Sequence, residues 1–247
     1  MMPFMLIAGT NFALFWHVLR GEPRHLTDNA EFRSYLLAMV GFGAVISAVL
    51  FAGVGMAETP TNIDAVAGNL ENALRQGLFQ TIAIVTTTGY ASMDFNTWDA
   101  SAQTILLFAY FLGGSAGSAA GSVKIVRWVI AKRAVDRSLF VAAHPEAVSP
   151  VRLNEEAVDE DTIREVFVFV VVFVVLFAVS TMLLYLDSYR TPDLALSGLE
   201  AMSVAIATLG NVGPGFGPVG PMNSFLPFSD AAKLYMVFLM WIGRLEV

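Results

Sequence analysis

The sequence predicts an all-α integral membrane protein built by repeating one unit: an outer helix, a short pore helix, a filter-type glycine loop and an inner helix. Three observations predict it. Hydrophobic residues make up 56% of the 247 residues and charged residues 14%, with a mean hydropathy of +0.64, the balance of a membrane protein rather than a soluble domain. Apolar stretches long enough to cross a bilayer alternate with apolar stretches too short to do so. The short stretches run into loops of one grammar, TIAIVTTTGY from Thr81 to Tyr90 and AIATLGNVG from Ala205 to Gly213, with Gly210 in the place of Gly89.

Taken in order, Met1 to Leu19 is apolar but has no basic leader and ends in His17 and Arg20 rather than a small-residue cleavage site. It reads as the last part of a transmembrane helix, not as a signal peptide. Arg20 to Arg33 is a polar connector whose three arginines favour the cytoplasmic side. Ser34 to Met56 is a full span, followed by an outer segment, Glu58 to Glu71, with a turn at Thr59-Pro60-Thr61-Asn62. Glu71 to Val85 enters the membrane without crossing it, Thr86 to Tyr90 forms the loop, and Ala91 to Asp99 leads back out past Asp94, Asn96 and Asp99 at the mouth. Ser101 to Val135 is the return span. Lys132 to Arg164 is cytoplasmic, and its acidic run (Glu155, Glu156, Asp159, Glu160, Asp161) reads as a solvated face.

Glu165 to Leu186 is the most apolar span, and a turn from Asp187 to Asp193 caps a second short helix, Leu194 to Ala207. Gly210 to Gly220 holds five glycines and two prolines. Ala231 to Val247 begins another inner span. Leaving out Lys233 and Arg244, within or beside the last helix, ten basic residues then lie inside, against Arg75 and Arg190 outside, in accord with the positive-inside rule. The expected divisions are 1–33 (helix end and connector), 34–137 (one pore repeat), 138–164 (cytoplasmic linker) and 165–247 (a second repeat).

Irregular backbone at membrane depth leaves carbonyls unpaired, and it is tolerated where protein buries it or where it lines a wet cavity. A cation is one partner for those carbonyls: a threonine-x-glycine-aromatic loop can replace the hydration shell of potassium. Thr86, Thr87, Thr88, Gly89 and Tyr90 fit such a filter closely; Thr208, Leu209, Gly210 and Asn211 fit it more loosely. Each short helix would aim its negative C-terminal end at the ion. The plainer reading is a helix end with a C-terminal glycine, which two copies in matching contexts disfavour.

The return span is unusual in its middle, GGSAGSAAGSVK, with Gly113, Gly114, Gly117 and Gly121 interleaved with Ser115, Ser118 and Ser122. Glycines four apart can be a small-xxx-small helix contact. The density of serine and glycine ahead of Lys124 points instead to a helix break and a cation near membrane depth. Lys124 can equally snorkel to the inner interface beside Arg127, Lys132, Arg133 and Arg137.

Other classes are disfavoured. There are no cysteines, hence no disulfide, thiolate metal site or cysteine nucleophile. A net charge of −7 does not suggest nucleic acid as a partner. His17, His25 and His144 lack matched carboxylate spacing, and a serine nucleophile would lack a base, so an intramembrane enzyme is disfavoured. Gly215, Gly217 and Gly220 spell GxGxxG without a preceding strand. A secondary transporter with broken helices that binds solute and coupling ion at the midplane is the rival; it requires paired interruptions in two crossing helices, and only one full span reads as broken.

VTTTGY, GGSAGSAAGSVKIVRW, TLGNVGPGFGP and GRLEV resemble the third and fourth repeats of the Trk/Ktr/HKT superfamily of potassium uptake proteins, in which one chain carries four repeats around a pore. The resemblance implies a plasma-membrane, multi-pass protein, with potassium as the transported ion and no covalently bound cofactor. It implies that Thr86 to Gly89 and Thr208 to Asn211 line two filter walls, that Gly113 to Ser122 form an intramembrane gating loop below them, and that Arg244 projects into the pore as an electrostatic barrier. With two of four repeats present, the chain is expected to be a C-terminal fragment, a head-to-tail dimer restoring four walls being the lesser option. The family further implies a homodimer of the full-length protein and a cytosolic nucleotide-binding regulatory ring.

Overall fold

The computed structural model describes residues 1–53, 66–146, 149–154, 156–191 and 194–245. Ten α-helices are found among them: α1 (Met2–Ala8), α2 (Phe12–Leu19), α3 (Arg24–Asp28), α4 (Ala30–Phe51), α5 (Leu70–Val85), α6 (Ala100–Ala109), α7 (Ile125–Ala143), α8 (Glu160–Ser188), α9 (Gly198–Leu209) and α10 (Asp230–Leu245). Two short strands, β1 (Arg152–Leu153) and β2 (Glu156–Ala157), pair antiparallel. The turn at Thr59 to Asn62, the end of the first span at Met56, Glu155, Pro192, Asp193 and the closing Glu246-Val247 lie outside the described residues.

Helices α4 and α8 are long and apolar enough to cross a membrane. At about 1.5 Å per residue the 22 residues of α4 exceed the ~30 Å hydrocarbon layer slightly, and the 29 of α8 extend well beyond it. Both begin earlier than the hydropathy suggests. Asn29 caps α4, its side chain accepting from Phe32 N; α8 starts inside the acidic run, where Glu160 and Asp161 suit the positive end of the helix. Arg137 of α7 holds Glu160 in an ion pair.

The first segment is not one helix. α1 and α2 meet at 105° across a break at residues 9–11, where the Asn11 side chain caps α2 by accepting from Ala13 N. A second span is therefore interrupted, besides the one expected between α6 and α7. The linker also carries the β1–β2 hairpin, turned at Asn154 with φ +48.

The short helices occupy the centre. α5 is buried at nearly every position from Gln80 to Val85, and α9 from Ser203 to Leu209. A helix apolar all round belongs in a core. α9 begins with a capping box, the Ser197 side chain accepting from Glu200 N while the Glu200 carboxylate accepts from Ser197 N. The main cluster joins both halves, with Ile82 to Val85 of α5, Leu106 and Tyr110, and Ile206, Leu209 and Phe216 from the second half. Phe216 packs edge-on against Phe95 and Tyr110.

Candidate functional site

Past Val85 the chain leaves the helix in a fixed way. Thr87 and Gly89 take the left-handed backbone region, φ +52 and +68, and both Thr88 N and Gly89 N donate back to Ala83 O, at 3.0 and 3.3 Å. The hydroxyls also turn inward: Thr86 Oγ1 donates to Ile82 O at 2.7 Å and Thr88 Oγ1 to Ala83 O at 3.3 Å. The helix end is thus satisfied by its own loop, with Thr86 buried, Thr87 to Gly89 half-buried and Tyr90 exposed. The exit is braced by α5 itself, for Ser92 Oγ donates to Gln76 Oε1 at 2.5 Å and Gln80 Nε2 to Met93 O at 3.4 Å.

The second loop repeats the bonding in a different register from the expected one. Val212 N and Gly213 N both donate to Ala207 O, at 2.9 and 3.4 Å; Asn211 and Gly213 have φ +54 and +110. Ala207 therefore matches Ala83, Asn211 matches Thr87, and Gly213, not Gly210, matches Gly89. Thr208 and Leu209 lie fully buried in the last turn of α9, with Thr208 Oγ1 donating to Val204 O and Ala205 O. The stretch equivalent to Thr86–Gly89 is 210–213, two residues beyond the expected Thr208–Asn211, and the matching glycine lies three residues later than Gly210. The reason is physical: Gly210 closes the helix in ordinary right-handed geometry, φ −78 and ψ −4, so the reversal waits for Asn211 and Gly213.

The two loops meet. A Cβ on Gly89 would collide with the Val212 carbonyl oxygen and come within 3.1 Å of Pro214 Cδ. Tyr110 Oη donates to Pro214 O at 2.7 Å. At the mouth the Asn96 side chain bonds Gly217 reciprocally, Nδ2 donating to Gly217 O at 3.0 Å and Oδ1 accepting from Gly217 N at 2.8 Å.

Beneath lies the segment between α6 and α7. It is not helical from Tyr110 to Lys124, so the small-xxx-small helix contact does not form. Its ends are stitched, Gly113 N donating to Val123 O at 2.8 Å and Ile125 N to Gly114 O at 3.1 Å. The carbonyls just past α6 find donors in Ser122 Oγ (to Tyr110 O, 2.7 Å) and Trp128 Nε1 (to Phe111 O, 3.1 Å), as irregular backbone in a membrane requires. Gly121 touches both helix-end loops: its N donates to Thr87 Oγ1 at 2.8 Å, and a Cβ there would stand 2.5 Å from Gly210 O.

Three other elements hold this loop. The α1–α2 break supplies Gly9 O, accepting from Ser115 N at 2.8 Å, and Ala8 O, accepting from Ala119 N at 3.3 Å; Gly117 faces Asn11. Glu31 of α4, 6% exposed, accepts the Ala116 N–H at 2.5 Å and feels the opposite charge of Lys124. Arg244 of α10 donates to Ala119 O at 2.6 Å, and its side chain is exposed. Lys124 is 3% exposed, its Nζ donating to Ala120 O at 2.5 Å and to Ser118 O at 3.4 Å, so the snorkelling alternative does not hold.

Glu31, Tyr110 and Gly213 were not singled out from the sequence, whereas Asn96 was placed at the mouth without its partner Gly217. Glu31 had a readable signal: it begins the buried stripe Glu31, Tyr35, Met39, Gly43, Ile46, Leu50 of α4, a helical period, and starting the span at Ser34 left it in the connector.

Over residues 1–247 the chain matches the TrkH family model, described as cation transport protein. It is 32% identical over 248 residues to the Trk system potassium uptake protein TrkI of Halomonas elongata, covering 99% of this chain and 46% of that relative. It is 26% identical over 245 residues to the Trk system potassium uptake protein TrkH of Escherichia coli strain K12, covering 99% and 47%. The crystal structure of the potassium transporter TrkH from Vibrio parahaemolyticus superposes with a TM-score of 0.82 at 28% identity, over 99% of this chain and 49% of that one. The chain spans about half the length of the curated relatives it matches. Its match to that family model from end to end, around two loops closed by the same pair of bonds, makes it a member of the TrkH family of cation transport proteins.

Proposed function

We propose that these 247 residues supply two walls of a potassium-selective pore in the cell membrane, and that the loop from Gly113 to Lys124 is its gate. One observation carries the reading. Two re-entrant helices end in loops with identical donation to one helical carbonyl, Ala83 in the first and Ala207 in the second, and the loops lie against each other at Gly89 and Val212. Backbone oxygens of Thr86 to Gly89 and of Gly210 to Gly213 are the groups that take the place of water around the ion. The helix ends of α5 and α9 add their negative poles. Two walls do not surround an ion, so the others come from outside these residues. The relatives are named as potassium uptake proteins of Trk systems; a homodimer of the whole protein and a cytosolic nucleotide-binding ring belong to the same proposal and rest on the family resemblance alone.

The rival with discontinuous helices gains one point, since the breaks at 9–11 and 110–124 do face each other. Their carbonyls are spoken for, however: Gly9 O and Ala8 O accept from Ser115 N and Ala119 N, which favours a plug over a solute site. The test is ion flux through the complete protein in proteoliposomes. Gly89→Ser and Gly213→Ser are each expected to lower the permeability of potassium relative to sodium; an unchanged ratio in both overturns the filter reading.

A further inference from the structure

The turn between α2 and α3 gathers three ligand-bearing side chains that sequence spacing did not connect. His17 Nδ1 stands 3.2 Å and His25 Nε2 3.6 Å from the same oxygen, Glu22 Oε2. The two imidazole rings are 4.6 Å apart, and the three ligand atoms all lie within 4.8 Å of one another. We propose that His17, Glu22 and His25 bind a divalent transition-metal ion on the connector that the positive-inside bias assigns to the cytoplasm.

The geometry suits that class. Zinc bonds of about 2.0–2.2 Å to nitrogen and carboxylate oxygen in a tetrahedron separate neighbouring ligand atoms by roughly 3.3 Å. The two distances to Glu22 bracket that value, and a small rotation of the exposed histidines closes the third. Two imidazoles and one carboxylate select zinc and its neighbours over magnesium, which prefers oxygen ligands. A fourth position is open to water.

The backbone fixes the arrangement. Both Arg20 N and Glu22 N donate to His17 O, Gly21 reverses the chain at φ +84, and His25 N donates to Glu22 O, so the three residues share one turn. Arg20 lies over the Trp16 ring instead of on Glu22. The side chains are 41–59% exposed, open to a cytosolic ion.

The test is equilibrium dialysis of the full chain in detergent against zinc, with bound metal measured per chain and cobalt(II) absorption as the second readout. One zinc per chain is expected, together with tetrahedral cobalt bands. His17→Ala and His25→Ala are each expected to weaken binding at least about tenfold, since even outer-shell changes cost 10–100-fold. Because these side chains are exposed, circular dichroism of each variant is expected to match the parent. Absence of saturable zinc binding, equal binding by the His17→Ala/His25→Ala double variant, or displacement by millimolar magnesium each overturns the proposal.

Discussion

Replacing Glu31 by alanine removes the buried carboxylate that accepts the Ala116 N–H at 2.5 Å and leaves Lys124 without that counter-charge. A hydrogen bond to a charged group contributes about 1.5–3 kcal/mol, and no solvent screening discounts it where the residue is 6% exposed. Since about 1.4 kcal/mol is a factor of ten, the population with the loop displaced rises roughly ten- to 150-fold, if the carboxylate bonds the loop only in its seated position. In proteoliposomes holding the complete protein, potassium flux should rise accordingly until the open state dominates. Glu31→Gln retains an oxygen for Ala116 and loses the charge, so it should fall between parent and alanine, and the interval between the variants divides hydrogen bond from charge. Flux of Glu31→Ala within twofold of the parent, in protein that folds normally, refutes the tether.

Three further outcomes are expected. Arg244→Ala, which frees Ala119 O, should raise flux, and deleting Gly113 to Ser118 should raise it more; reduced flux in a folded deletion variant would favour a purely structural loop. Gly89→Ala should cost more stability than Gly213→Ala, because both need a left-handed φ but only Gly89 also meets a carbonyl; thermal unfolding in detergent compares them, and equal shifts would count against the packing of the two loops. Gly243→Ala drives a methyl into Leu209 O and should destabilise by at least about 1–3 kcal/mol, measured as a lowered melting temperature, with no change expected if α10 and α9 are further apart.

Much of the fold was legible because membrane helices advertise themselves. The Val and Phe run of α8 needed no tertiary information, nor did the stop of α5 at three threonines and a glycine. The density of glycine and serine before Lys124 marked the break between α6 and α7. What escaped depended on partners distant in sequence. AIATLGNVG offers glycine at both 210 and 213, and only the bonds of Val212 N and Gly213 N to Ala207 O choose between them. The bend at residues 9–11 carries one glycine in an apolar run, with its reason in the loop that it holds more than a hundred residues on. Glu31 looked like a connector acid until α4 was seen to start at Ala30.

The reciprocal pair between Asn96 and Gly217 has a bearing on how such a protein can vary. It rivets the outer rims of the two halves together, whereas Glu31 and Arg244 each reach the segment underneath through one polar contact from a different helix. In the proposed pore, alterations at Glu31 or Arg244 would act first on the seating of the lower segment and leave the Asn96–Gly217 pair intact, so that the two ends of the path could change separately.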